Sequence, residues 1–422
     1  MDRNESQSVW LLFAYGFGNA ATYSLARTVA DSTYLAQIGT ARLAELYLLS
    51  AGVVAMAAIL YGAVLPRLGL RRTIVGTLIL FATSTTALAF LLKAAPNSLA
   101  LVTIGYFLAQ IRGSLGTIHF ATVLNEQFGK NRPERIVGIA GAGATVAGFS
   151  IGIAIGALSD FIAVENFLFA AAILDFLTIA PLLILRIAFR ASRNNTSARA
   201  SFQRLSRRNR SPNQQSEKHR ASGQDRDGQS SYVALITTTV VLCILATTMV
   251  EYQWKVTAVE VFPRTTQAMT KYFGYFYGVL YLMTGMMQLF LTSRLLRMRG
   301  IKGGLIALPL FLLAGSGLAI GTTTPLMLFI ALNTCKFGDI IRRALHDPSV
   351  QITYAPIPKK DRRQAITFVS GVAKPFAEAL AGALIVLLTN WISTKQLSIV
   401  VILLCCVWLG TIGPLNRARR IA

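Results

Sequence analysis

Two opposite charges, Glu251 and Lys255, stand four residues apart in MVEYQWKVTAVEVFP (Met249 to Pro263), at the end of an apolar run that starts near Ser231. A charge in a membrane helix costs about 2.5 to 3.5 kcal/mol on insertion scales. Charges kept there therefore pair with one another or face a polar cavity. The spacing puts both on one helix face. Arg27 and Asp31 repeat the pattern near the end of the first apolar segment, and Arg112, Lys336, Asp339, Lys374 and Glu378 also fall in or near apolar segments. Cations slightly outnumber carboxylates in this set, and arginine engages carboxylate or phosphate with two parallel hydrogen bonds. An anionic ligand is the expectation. Internal ion pairs are the alternative for Glu251 with Lys255 and for Lys374 with Glu378. Pro375, after Lys374, would loosen its helix and free carbonyls toward a cavity. His119 stands alone on an apolar segment and reads as a packed residue.

The elements that must position these charges follow from composition. Of 422 residues, 54% are hydrophobic and 14% are charged, whereas a soluble domain carries about 25% charge. The net charge of +23 sits in short clusters between apolar runs, which is the pattern of membrane topology and not of a nucleic-acid groove. Cys243, Cys335, Cys405 and Cys406 lie in apolar segments without metal-ligand spacing, so neither a disulfide framework nor a metal site is expected. No removable signal peptide is expected at the N-terminus.

Segments long enough for a hydrocarbon core of about 30 Å occur near 8–35, 43–65, 73–94, 99–124, 136–158 and 165–189, then near 232–260, 272–295, 303–322, 324–345, 364–389 and 396–416. The expected fold is an all-α integral membrane protein of twelve transmembrane helices in two six-helix halves, 1–190 and 231–422. Between them, 191–230 is rich in Ser, Arg, Asn and Gln and reads as a disordered basic cytoplasmic linker. Basic residues follow the even-numbered spans (Arg67, Arg71 and Arg72; Lys130, Arg132 and Arg135; Arg294, Arg297 and Arg299; Lys359, Lys360, Arg362 and Arg363). By the positive-inside rule both termini are expected in the cytoplasm, with a bacterial inner membrane as the setting.

The halves echo one another. AVLPRLGLRRT after the second span matches RLLRMRGIKGG after the eighth, each a basic turn around a glycine, and ERIVGIAGAG after the fourth matches RQAITFVSGV after the tenth. Six and six spans in parallel half-repeats describe a major-facilitator-like architecture. Span five is crowded with small residues (Gly138, Gly141, Gly143, Gly148, Gly152, Gly156), which let helices approach closely.

Four stretches then resemble the nucleotide transporters, the ATP/ADP antiporters of plastids and intracellular bacteria: MVEYQWKVTAVEVFP, RRALHDPSVQITYAPIPKKDRRQAI, NEQFGKNRPERIVGIAGAGATVAGFSIG and LARTVADSTYL. Their order and spacing carry the resemblance over most of the chain outside the linker. The resemblance implies an acid important for transport at Glu251, with Lys255 following at the family spacing, and a basic residue at Arg363. Where that family has a lysine before the first-span aspartate this chain has Ala30; where it has a fourth-span glutamate there is Gln110, and Arg112 replaces an aromatic.

The sequence thus points to a secondary transporter that moves an anionic solute, a nucleotide or another phosphorylated or carboxylated metabolite, by alternating access. Its expected cavity residues are Glu251, Lys255, Arg27, Asp31, Gln110, Arg112, Arg363 and Lys374. The alternative is a carrier that has lost transport and serves as a membrane assembly or sensor partner. The sequence holds no P-loop, HExxH or GxSxG, so catalytic residues, metal and cofactor are not expected. The partners foreseen are the solute and the lipid bilayer, without nucleic acid, for a monomer.

Overall fold

The protein, seen in a computed structural model, is described over residues 3–127, 133–184 and 213–421. The basic residues Lys130 and Arg132 and the linker up to Pro212 lie outside the described residues. Regular structure among the described residues is helical throughout: α1 Arg3–Gln37, α2 Leu43–Leu68, α3 Leu70–Ala94, α4 Leu99–Gln127, α5 Pro133–Leu158 and α6 Val164–Ile184. They continue with α7 Asn213–Val261, α8 Thr266–Met287, α9 Ser293–Gly321, α10 Pro325–Lys336, α11 Gly338–Ile341, α12 Asp347–Thr353, α13 Lys359–Phe368, α14 Lys374–Thr389 and α15 Leu397–Ile421. Three π-helical turns, Gln288–Thr292, Arg342–His346 and Val369–Ala373, join α8 to α9, α11 to α12 and α13 to α14.

Nine segments among the described residues are long and apolar enough to cross a membrane. The difference from the twelve expected has a physical origin. α1, which carries Arg27 and Asp31, does not meet the apolarity required. The tenth expected span is cut into α10, of 12 residues, and shorter pieces beyond it. The eighth and ninth count as one stretch of 56 residues, Thr266–Gly321, although Gly300 breaks it with φ 62° and ψ −172°. α7 starts at Asn213, well before the linker boundary expected at residue 230. A formed helix extends into a polar flank at little cost once nucleated, and Pro212 stands just before its start.

The repeated basic turns share a backbone conformation. Gly69 between α2 and α3 has φ 78°, and Gly300 takes the same left-handed sign. A side chain at either would be strained, so both turns need their glycine.

Packing between the halves follows a cross pattern. α2 packs on α14, α5 packs on α8, and α1 meets both α7 and α8. This is the pairing that parallel half-repeats related by an approximate two-fold produce. Several turns gather at one end of the bundle, where Gln37 donates to the Pro96 carbonyl at 2.9 Å and Lys395 to that of Thr322 at 2.5 Å. Asp160 and Lys271 form a salt bridge between the halves at this turn end.

Close approach between the halves is made by glycine. A Cβ on Gly152 would lie 2.5 Å from the Gly278 nitrogen, and one on Gly274 would lie 2.7 Å from that of Gly156. On the other pair of helices, a Cβ on Gly382 of α14 would meet the Leu48 nitrogen of α2 at 2.7 Å. Backbone cannot swing aside as a side chain can, so these contacts tolerate only hydrogen. Gly152→Ala is therefore expected to destabilise the protein by about 1–3 kcal/mol, the usual cost of overpacking. Gly141→Ala, whose Cβ would meet nothing within 4 Å, leaves thermal unfolding in detergent unchanged or slightly improved; equal effects at the two sites would contradict this packing.

Candidate functional site

The charges singled out in α1 and α7 meet across the boundary between the halves. Arg27 and Glu251 each lie ten residues before the last residue of their helix, and Asp31 and Lys255 each lie six before it. The order of sign is inverted: cation then anion in α1, anion then cation in α7. When the helices cross, each charge meets its opposite. Arg27 Nη2 donates to Glu251 Oε1 at 2.6 Å and Lys255 Nζ to Asp31 Oδ1 at 2.8 Å, both spanning 224 residues of sequence. Within each helix the pairs are looser, Arg27 to Asp31 at 3.6 Å and Lys255 to Glu251 at 3.1 Å. The four groups close a ring.

Burial differs around that ring. Lys255 and Asp31 are 0% and 1% exposed, while Arg27 and Glu251 are 15% and 18% exposed. A charge taken out of water costs several kcal/mol unless its partners replace the lost hydration. Asp31 obtains this replacement from Lys255 and from the Tyr277 hydroxyl, which donates to Oδ2 at 3.2 Å. Aromatic faces cradle the cations: Arg27 lies 5.0 Å from the Tyr277 ring centroid, and Lys255 lies 5.3 Å from Tyr47 and 5.7 Å from Tyr106. Such contacts add about 0.5 to 2 kcal/mol each.

The ring continues into the C-terminal half. Lys336 Nζ bridges Glu251 Oε2 at 3.1 Å and Asp339 Oδ2 at 2.8 Å. Arg342 Nε reaches Asp339 Oδ1 at 3.4 Å. Four cations (Arg27, Lys255, Lys336, Arg342) thus face three carboxylates (Asp31, Glu251, Asp339), which leaves one positive charge. Arg343 adds another cation nearby, its guanidinium 4.6 Å from the Tyr281 ring centroid.

Breaks in the helices serve this cluster. α10 ends at Lys336, α11 spans one turn, and a π-helical turn begins at Arg342. A π-turn displaces carbonyls from the regular ladder, and side chains of the Gln288–Thr292 π-turn take them up. Thr292 donates to the Ala344 carbonyl at 3.0 Å and Gln288 to that of Arg343 at 3.4 Å. On the other side Trp254 fixes α7 by donating to Tyr272 Oη at 2.6 Å and to Asn333 Oδ1 at 3.1 Å.

Other expected site residues lie elsewhere. Arg112 in α4 is buried and grips Asp175 of α6, with Nη2 to Oδ1 at 2.6 Å and Nε to Oδ1 at 3.0 Å. Its Nη1 donates to Asn19 Oδ1 of α1 at 2.7 Å. This fork occupies its donors inside the N-terminal half. Gln110 is half-buried on the same helix. Lys374 opens α14 and is half-buried, with no carboxylate, Glu378 included, within 4 Å among the described residues. The backbone of Arg363 is in α13; its side chain lies outside the described residues. Sequence reasoning missed Asp175, Arg342 and the tyrosine cradle. A lone carboxylate in the apolar run FAAAILDFLTIAP was the available signal for Asp175; the tyrosines carried none.

A family model described as Major Facilitator Superfamily matches residues 8–341. Among solved structures, the chain is similar to a peptide transporter POT in complex with sulfate, with a TM-score of 0.63, 11% identity, and 98% of this chain and 95% of that one covered. It is similar to a POT family transporter in complex with 5-aminolevulinic acid (TM-score 0.62, 13% identity, 96% and 94% covered) and to the nucleoside transporter NupG (TM-score 0.60, 12% identity, 97% and 99% covered). No curated protein matches.

The Arg112–Asp175 fork makes a stability prediction independent of any solute. Arg112→Met strands a buried carboxylate and is expected to cost about 3–5 kcal/mol, while Arg112→Met combined with Asp175→Leu recovers most of that loss. Chemical or thermal unfolding of the purified single and double variants measures it. Additive losses would show that the two residues are not a unit.

Proposed function

The chain belongs to the major facilitator superfamily, and on that premise we propose that it is a secondary transporter carrying an anionic solute by alternating access. One observation carries this reading: the in-register double ion pair between α1 and α7 draws the halves together near their turn end, beside a cluster with surplus positive charge. The glycine contacts of α5 with α8 and of α2 with α14 close the same end. On the opposite side Gly371 is exposed, and a Cβ placed on it would meet nothing within 4 Å.

Loop charges and the positive-inside rule assign the termini to the cytoplasm; the closed turn end is then external, and this conformation is open inward. A solute anion entering from that side meets Arg342 and Lys336 first, then the partly exposed Arg27. An anionic group can replace Glu251 as their partner. That exchange matters energetically. An ion pair at 4 Å is worth about 4 kcal/mol at an effective dielectric of about 20, and inverting a 1:99 equilibrium needs about 5.5 kcal/mol. Breaking the Arg27–Glu251 pair, the latch between the halves, without a replacement anion therefore costs an amount comparable with the whole shift in equilibrium, and a bound anion offsets that cost.

The resemblance to nucleotide transporters makes nucleotides the first solutes to try, ahead of sugar phosphates and carboxylates, and the sequence resemblance supports Glu251 and Lys255 as the residues that matter in transport. Lys374, Arg363 and Gln110 belong to the proposed pathway on the same ground. A monomer in a bacterial inner membrane accommodates this reading.

Thermal unfolding of the purified protein against these solute classes is the test. A ligand raises stability by RT ln(1 + [L]/Kd). Solutes that stabilise are then followed as uptake into proteoliposomes. Glu251→Gln, which keeps the side-chain volume and removes the charge, is expected to lower uptake by about tenfold or more, equivalent to about 1.4 kcal/mol, with the variant still folded. Uptake at the wild-type rate would overturn the latch, and a complete screen without stabilisation or uptake would overturn the transporter reading.

A further inference from the structure

One carboxylate inside the bundle stands outside the ion network. Glu378 is on α14, where it is exposed, yet it points away from the lipid. The outward face of α14 is marked by Phe376, Leu380 and Leu387, which are 63%, 37% and 62% exposed. At about 100° per residue, Glu378 lies about 200° around the helix from Phe376, on the inner side. Its exposed surface is thus on the side of the helix that faces the bundle. The next residue along this face, Gly382, meets the backbone of Leu48 and closes α14 on α2. In the inward-open reading above, Glu378 therefore sits at the inner limit of the vestibule, one turn before that closure.

Among the described residues no cation lies within 4 Å of Glu378. The charges acting on it are Glu251 of α7, its own helix neighbour Lys374, Arg342 of the π-turn and Arg27 of α1. α2, the other helix packed along α14, brings Tyr47 to the same region, with its ring 5.3 Å from Lys255 Nζ and its hydroxyl without a partner in the protein. These surroundings separate Glu378 from the paired acids. Protonating Asp31, Glu251 or Asp339 would strand a buried cation, which is costly. Protonating Glu378 strands none. It instead removes a negative charge that competes with an entering anion for Arg342, Lys374 and Arg27.

We propose that Glu378 is the proton-binding group of this transporter and that one proton enters with each solute anion. This inference rests on the anionic-solute reading above. A proton from the vestibule water adds to a carboxylate oxygen of Glu378, the anion approaches Arg342, Lys374 and Arg27 with that competing negative charge removed, and the halves exchange their open side. The anion then leaves, and Glu378 returns its proton to the water on the far side. No other group changes charge. By reciprocity, the proton tightens anion binding by the same factor that the anion tightens proton binding.

Infrared difference spectroscopy of the protein in lipid vesicles, with sulfate as an anionic probe whose charge does not change with pH over the range used, tests this. The wild type is expected to show a carboxylic-acid band that disappears as the pH is raised. Glu378→Gln lacks the band, and Glu378→Asp keeps it at a shifted position, which separates loss of the group from loss of the fold. In parallel, sulfate affinity of the wild type rises by up to about tenfold per pH unit of acidification, the limit for one linked proton, while Glu378→Gln binds independently of pH with the affinity of the acidified wild type. A titrating band that survives in Glu378→Gln, no titrating band in the wild type, or an unchanged pH slope in the variant overturns the proposal. A band that depends on Glu378 without sulfate binding at any pH supports Glu378 as the proton site and counts against the anionic solute alone.

Discussion

The meeting of the halves is arranged around two ion pairs, Arg27 with Glu251 and Asp31 with Lys255. They satisfy one another because the same positions of two repeated helices carry opposite orders of charge. Two copies with the same order would have set cation against cation at the crossing. Inversion of sign turns an internal repeat into a complementary interface, and in the Asp31–Lys255 pair it does so with side chains too buried to find replacement partners in water. The desolvation cost of each group thus makes the contact selective: the halves close at this depth and register, or the charges go unpaired. The glycine contacts on both flanks are the steric counterpart, since they permit the approach that brings the charges within hydrogen-bond distance.

Much of this is legible in the sequence. Apolar runs and basic loops carry the all-helical membrane fold, because a bilayer imposes length and charge placement directly on sequence. The paired glycine turns are visible as well, and Gly69 and Gly300 share their left-handed backbone. The charge pairs are visible as i,i+4 neighbours. Their partners across the halves are not, because that spacing fits pairing within a helix equally well. Arg112 shows the same limit. As a lone arginine in a span it reads as a ligand contact, yet Asp175, far along the sequence, occupies it. Local spacing cannot reveal which distant helix supplies a counter-charge. The tyrosines around Lys255 and Arg27 leave no trace either, since an aromatic in a membrane span is unexceptional.

Span ten explains why a count of spans by apolarity falls short of an architecture. The stretch from Pro325 to Thr353 is interrupted by a one-turn helix and a π-turn, and it carries Lys336, Asp339 and Arg342. Irregular backbone and charge within a membrane protein are tolerated where they line a cavity or are buried in protein. The features that disqualify this segment as a simple apolar span are those that build the ion cluster of Lys336, Asp339 and Arg342.

The halves share a fold but not an electrostatic role. In the N-terminal half Arg112 is neutralised by Asp175 and held by Asn19, all three within that half. In the C-terminal half Lys336 and Arg342 share one aspartate, and Lys336 depends on Glu251 for its second partner. Glu251 is also the partner of Arg27 across the boundary. One carboxylate therefore serves cations from both halves, and anything that competes for it loosens the crossing and the C-terminal cluster together. Coupling between the halves needs no longer pathway than this: the carboxylate that holds the crossing together also holds the C-terminal cluster.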